Sequence, residues 1–153
     1  MENQTKNWRK KFIPLILGQS ISLIGSSAVQ FALMWWLASQ TNSGTVLSIA
    51  GLFAFLPQLI IGPFAGVWVD RMDKKRVVIV ADLFTGLVAL LLSLSIIVSE
   101  PQIAFILISL FLRAVASVFH TPAIQAIVPT LVPVDELVEA NSWNQFLQSG
   151  AYM

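Results

Sequence analysis

The sequence predicts an all-α integral membrane protein. Three observations predict it: charge is scarce, apolar residues run in four long blocks, and basic residues gather at two places between them. Hydrophobic residues make up 56% of the 153 and charged residues 11%, with a mean hydropathy of +0.78. A soluble domain carries about 25% charged residues, so this chain has too few polar groups to cover a water-facing surface. The net charge of +1 conceals a segregation. Lys6, Arg9, Lys10 and Lys11 form one cluster, Arg71, Lys74, Lys75 and Arg76 a second, and Arg113 stands alone. Short basic clusters between long apolar runs mark membrane topology rather than nucleic-acid binding.

The first block, Ile13–Leu37, is too long for the apolar region of a signal peptide, about 7–15 residues, and further spans follow it. It reads as a retained transmembrane helix over 13–37, behind a head at 1–12. The second and third blocks, Val46–Val69 and Val77–Val98, also exceed the roughly 20 residues that cross a hydrocarbon core of about 30 Å. The fourth, Ile103–Phe119, is shorter, and its apolar pattern runs on to Val128, which leaves open a helix extending that far. Pro122, Pro129 and Pro133 predict a loop over 120–134. Asp135 and Glu136 then suit the start of a fifth helix over 135–153, where acidic groups complement the helix dipole. That helix reads as a span cut short. Eight of the nine basic residues lie in the head and at 70–76, whereas Ser39–Thr45 is uncharged and Ser99–Gln102 carries only Glu100. The positive-inside rule therefore places the N-terminus, the 70–76 turn and residues 120–134 in the cytoplasm. All five tryptophans fall near expected span ends, where an indole is favoured.

Polar residues inside the spans are the candidate functional groups. Gln19, Ser22, Ser26 and Gln30 fall within an arc of about 80° on a helical wheel. Such a stripe serves interhelical packing or lines a solvated cavity, and both readings stand. Gly62-x-x-x-Gly66 permits close approach of a neighbouring backbone, with packing the favoured role, and Pro57 and Pro63 predict a kink. Asp82 and Arg113 are charges at membrane depth, costing at least about 2.5 kcal/mol each on insertion. Asp82, Gly86, Ala89 and Ser93 share one face; Ser109, Arg113, Ser117 and His120 share another. Two roles fit Asp82 and Arg113: an ion pair that fixes helix register, or a proton or substrate path. In either case the two are expected to interact.

The turn between the second and third spans reads Gly66-x-x-x-Asp70-Arg71-x-x-Lys74-Lys75. It resembles the signature loop of the major facilitator superfamily, departing from it at Asp73, where the family has glycine, and at Lys74, often arginine. Further pieces resemble the macrolide efflux branch of drug–proton antiporters: Gly18-Gln19, Val46-Leu47-Ser48, Phe55-Leu56-Pro57, Ala81-Asp82-Leu83, Phe119-His120-Thr121-Pro122-Ala123 and Leu131-Val132-Pro133. The resemblance implies about twelve spans in two halves working by alternating access, of which this chain would be the N-terminal part. It implies that Asp70, Arg71, Lys74 and Lys75 form a gating charge cluster, with Gly66 allowing tight packing beside it. It implies a proton-coupling role for Arg113, although the glycine usual four residues later is Ser117 here. It also implies a bacterial cell-membrane location and a hydrophobic, drug-like substrate. No cofactor is expected beyond a proton gradient, and the remaining partners are the lipid bilayer and the C-terminal helices of the full transporter.

Other function classes fit less well. With no cysteine and one histidine, neither a thiolate or histidine zinc site nor a nucleophile–base constellation is visible, so no enzyme is expected. No Gly-x-x-x-x-Gly-Lys-Ser/Thr loop points to ATP. A small four-helix multidrug transporter acting as an oligomer, or a membrane scaffold, is the alternative. Transporters of that kind carry a glutamate in the first span, which is missing here.

Overall fold

The computed structural model describes residues 8–98 and 102–151. Their order is α1 (Trp8–Thr41), α2 (Gly44–Asp70), α3 (Lys74–Val98), α4 (Ile103–Leu131), a 3₁₀ turn (Val134–Glu136) and α5 (Leu137–Ala151). No strand occurs among the described residues. Four helices are long and apolar enough to cross a membrane. Even the shortest of them, α3 with 25 residues, is about 37 Å long. Their flanks are what lipid requires and water forbids: Ile21, Phe31, Leu59, Ile97 and Val98 are all at least 70% exposed.

The helices run further than the apolar blocks suggest, and the largest difference is in α4. The loop expected over 120–134 is instead helical as far as Leu131, through both Pro122 and Pro129. Only Val132 and Pro133 separate α4 from the 3₁₀ turn. Proline removes one backbone hydrogen bond. Unwinding an apolar segment would strand many polar groups in an apolar medium, so such helices tolerate proline. Pro14, Pro57 and Pro63 likewise sit inside helices.

The chain divides into two compact units, Val29–Ala123 and the residues on either side of it. In the flanking unit, Trp8, Phe12 and Ile16 recur at i, i+4 and i+8 on α1. They pack with Val128, Val132 and Ala140, bordered by Leu131, Leu137 and Leu147. Trp8 meets Phe12 edge-on at 5.3 Å. Trp8 is buried, and its indole N–H has no hydrogen-bond partner among the described residues. Arg9 lies over the Trp8 ring and reaches Glu136 at 3.2 Å and Glu139 at 3.7 Å.

In the central unit, Leu33 and Leu37 of α1 meet Ala50 of α2, Leu92 of α3, and Ile106 and Leu110 of α4. Leu37, Ala50 and Ile106 are completely buried. The α1–α2 turn is only Asn42 and Ser43. Asn42 takes a left-handed φ of 46°, which asparagine tolerates better than most residues. Its N–H donates to the Ala38 carbonyl, and the Ser43 hydroxyl caps α2 by accepting from the Val46 N–H. Towards the other end of α2, Trp68 stacks on Phe119 of α4 at 6.2 Å with planes 8° apart.

Candidate functional site

The signature turn is built by one helix stopping and another being capped. Asp70 is the last residue of α2, and the Arg71 N–H folds back on the Trp68 and Val69 carbonyls. Asp73 then begins α3. Its Oδ1 accepts from the Lys75 N–H at 3.0 Å and the Arg76 N–H at 3.3 Å, and its Oδ2 lies 3.5 Å from Arg76 Nε. The departure from the family's glycine therefore has a structural purpose: an aspartate satisfies N–H groups that a helix start leaves bare. Asp73→Ala should cost about 1 kcal/mol, measured by thermal unfolding of the chain in detergent. Asp73→Asn, which keeps an accepting oxygen, should lose much less.

Asp70, Arg71 and Lys75 are exposed and Lys74 is half-buried. Four cations against two carboxylates over 70–76 leave an excess of two positive charges. This surface favours an anionic partner such as a carboxylate or a lipid phosphate. Gly66 shows no close packing among the described residues: a Cβ added there meets nothing of them within 4 Å. A Cβ at Gly62 meets only the Gln58 side chain of its own helix. The packing that the glycine spacing permits is not used between these helices.

Of the intramembrane candidates, Arg113 is the more enclosed. It is 9% exposed, one turn along α4 from Ser109, which is also buried. The Ser109 hydroxyl donates back to the Phe105 carbonyl. Asp82 lies about 12 Å into α3 from Lys74. His120 Nε2 of α4 stands 3.3 Å from Asp82 Oδ1, with the two side chains 16% and 34% exposed respectively. That nitrogen is buried and makes no hydrogen bond, so it faces the carboxylate within ion-pair distance but out of line. Neither Asp82 nor Arg113 stands free in the structure. Sequence reasoning placed His120 on the Arg113 face but missed its contact with Asp82.

The α1 stripe is half-buried at Gln19, Ser22 and Ser26 and exposed at Gln30. Gln19, Ser22 and Ser26 all make polar contacts. Ser117 of the Arg113 face and Gly86 and Ser93 of the Asp82 face are exposed. Among the described residues no cluster of histidine, aspartate and glutamate is arranged to hold a metal ion.

Long apolar helices joined by a charged turn, with few ionisable groups within them, are the construction of a multi-pass membrane protein. Residues 15–153 match the model of the Major Facilitator Superfamily, and the chain belongs to that family. It is similar to Macrolide efflux protein A of Streptococcus pyogenes, with 40% identity over 147 residues, covering 96% of this chain and 36% of the relative. It is also similar to Macrolide efflux protein A of Enterococcus faecalis, 39% identical over 112 residues, covering 73% of this chain and 34% of the relative. The Staphyloferrin A transporter of Staphylococcus aureus is 28% identical over 125 residues, covering 81% and 32%. The chain thus spans about a third of the length of the curated relatives it matches. No solved structure matches it.

Proposed function

We propose that this chain supplies the N-terminal helices of a bacterial efflux transporter that exports hydrophobic, macrolide-like drugs in exchange for protons by alternating access. The observation that carries this reading is the 40% identity to Macrolide efflux protein A over 96% of the chain. The buried Arg113 and the Asp82–His120 contact support proton coupling, because ionisable groups are costly at membrane depth and their retention there marks a function. The two basic clusters support an orientation with the N-terminus and the 70–76 turn in the cytoplasm. Asp70, Arg71, Lys74 and Lys75 would then act as a latch, meeting an acidic surface of the second half in one transport state. The half-buried stripe of Gln19, Ser22 and Ser26 offers hydrogen bonds to a bulky, mostly apolar ligand.

Alternating access needs two repeats moving about a shared site, so the chain alone should not transport. The test replaces the corresponding segment of the Streptococcus pyogenes relative with this chain and follows accumulation of a labelled macrolide in cells. The expected result is a several-fold lower accumulation than in cells without transporter, abolished by a protonophore. Export that survives collapse of the proton gradient would remove proton coupling, and a chimera that never exports would remove the drug assignment. Drug-dependent proton flux in vesicles holding only this chain would overturn the need for a second half.

A further inference from the structure

We propose that the start of α5 is an openable joint, held on α1 by an ionic clasp at Arg9 and hinged at Val132 and Pro133. All of its parts lie in the flanking unit. Arg9 Nη2 of α1 stands 3.2 Å from Glu136 Oε2 in the 3₁₀ turn and 3.7 Å from Glu139 Oε2 in the first turn of α5. The contact with Glu136 is a hydrogen bond between residues 127 apart in the sequence. The same guanidinium lies 5.3 Å from the centre of the Trp8 ring. One side chain of α1 thus gathers two carboxylates that belong to the beginning of the fifth helix.

Beneath the clasp the apolar hold on α5 is slight. Over residues 137–150 only Ala140 is buried, and Leu137 and Leu147 merely border the cluster of Trp8, Phe12, Ile16, Val128 and Val132. Val138 and Phe146 stay 79% and 69% exposed. A methyl group removes little apolar surface, so the charged contacts supply a share of the docking that a well-packed joint would not ask of them. Those contacts are themselves loose, because the Arg9 and Glu139 side chains are 57% and 55% exposed and water screens them. Docking also has a cost. It buries Trp8 with an indole N–H that has no hydrogen-bond partner among the described residues, a donor that release would return to water or lipid headgroups.

The break that lets α5 move is already present. Helix α4 ends at Leu131, and Pro133 is extended, with φ −57° and ψ 149°. Pro133 has no N–H to continue the helical ladder, and the Glu136 N–H closes a separate turn on the Pro133 carbonyl. The fifth helix therefore joins the fourth through two residues, and a swing about them need break no hydrogen bond within α4 or α5. A weak clasp, a small apolar contact and a ready break together make a local two-state element, docked or open.

The joint does not depend on drug export or on proton coupling, so its failure and theirs are separate results. The test is hydrogen–deuterium exchange, read by mass spectrometry on the whole chain in phosphatidylcholine nanodiscs at fixed pH. Raising salt from about 20 mM to about 0.5 M shortens the range of charge attraction several-fold. In the native chain this should speed exchange over residues 137–147 by about fivefold and leave α2 and α3 unchanged. Arg9→Ala should give the same acceleration at low salt and show no further response to salt. Arg9→Glu combined with Glu136→Arg and Glu139→Arg should restore slow exchange. Exchange in α5 that ignores both salt and Arg9→Ala would overturn the clasp, as would a reversed triple variant that stays fast. Acceleration shared equally by α2 and α3 would overturn the local joint, leaving Arg9 a contributor to overall stability. Should the variants fail to fold by circular dichroism, the salt response of the native chain decides.

Discussion

Arg113→Ala should destabilise the chain in detergent by about 3 kcal/mol, read from thermal unfolding followed by circular dichroism. Two effects oppose each other at this position. An arginine at membrane depth costs about 2.5–3.5 kcal/mol to insert, so its removal looks favourable. That cost, however, is carried by the inserted helix whether or not its neighbours pack against it, and it largely cancels between the folded and unpacked states. What remains is the packing of a large side chain only 9% exposed, together with the groups that interact with it. Truncation leaves a cavity and strands those groups, and this effect wins. Arg113→Lys keeps charge and much of the stem but loses the planar fork, so it should recover about half of the loss. An Ala variant as stable as the native chain would show that Arg113 contributes nothing to packing.

Gly66→Leu should separate two roles with opposite signs. In the chain alone a Cβ at Gly66 touches nothing, so the variant should fold normally and gain up to about 1 kcal/mol from helix propensity. In the chimeric transporter the same substitution should lower drug export at least tenfold, about 1.4 kcal/mol in effect. It places a branched side chain where the family resemblance implies close approach beside the charge cluster. Accumulation of labelled macrolide measures the second effect and unfolding of the chain the first. Undiminished export would take the packing role from Gly66, and an unstable chain would reveal a contact within it.

The spans were legible in the sequence because lipid asks for one simple property, an unbroken apolar length, and residues 46–69 and 77–98 have it. The apolar pattern beyond Phe119 already allows α4 to run to Val128, but its passage through Pro129 to Leu131 was not legible, because proline weighs towards a break in the chain. Here the penalty for unwinding apolar backbone outweighs the single hydrogen bond that Pro122 or Pro129 removes. Helical periodicity placed Arg113 and His120 on one face correctly, yet it could not say that His120 meets Asp82. That depends on how α3 and α4 are rotated and shifted against each other, which no pattern within one helix encodes. Asp73 illustrates the reverse case. It departs from the family motif, yet an aspartate just before Lys74-Lys75-Arg76 is an ordinary helix-starting signal. The burial of Trp8 follows from Phe12 and Ile16 sharing its face.

The two-residue turn at Asn42 and Ser43 also governs biosynthesis. It reaches about 7 Å at most, against a hydrocarbon thickness of about 30 Å. Once α1 lies across the bilayer, the first residue of α2 is already on the far side, and no slack exists to leave the second helix behind. A product whose second helix stays behind on the side where α1 begins is therefore excluded.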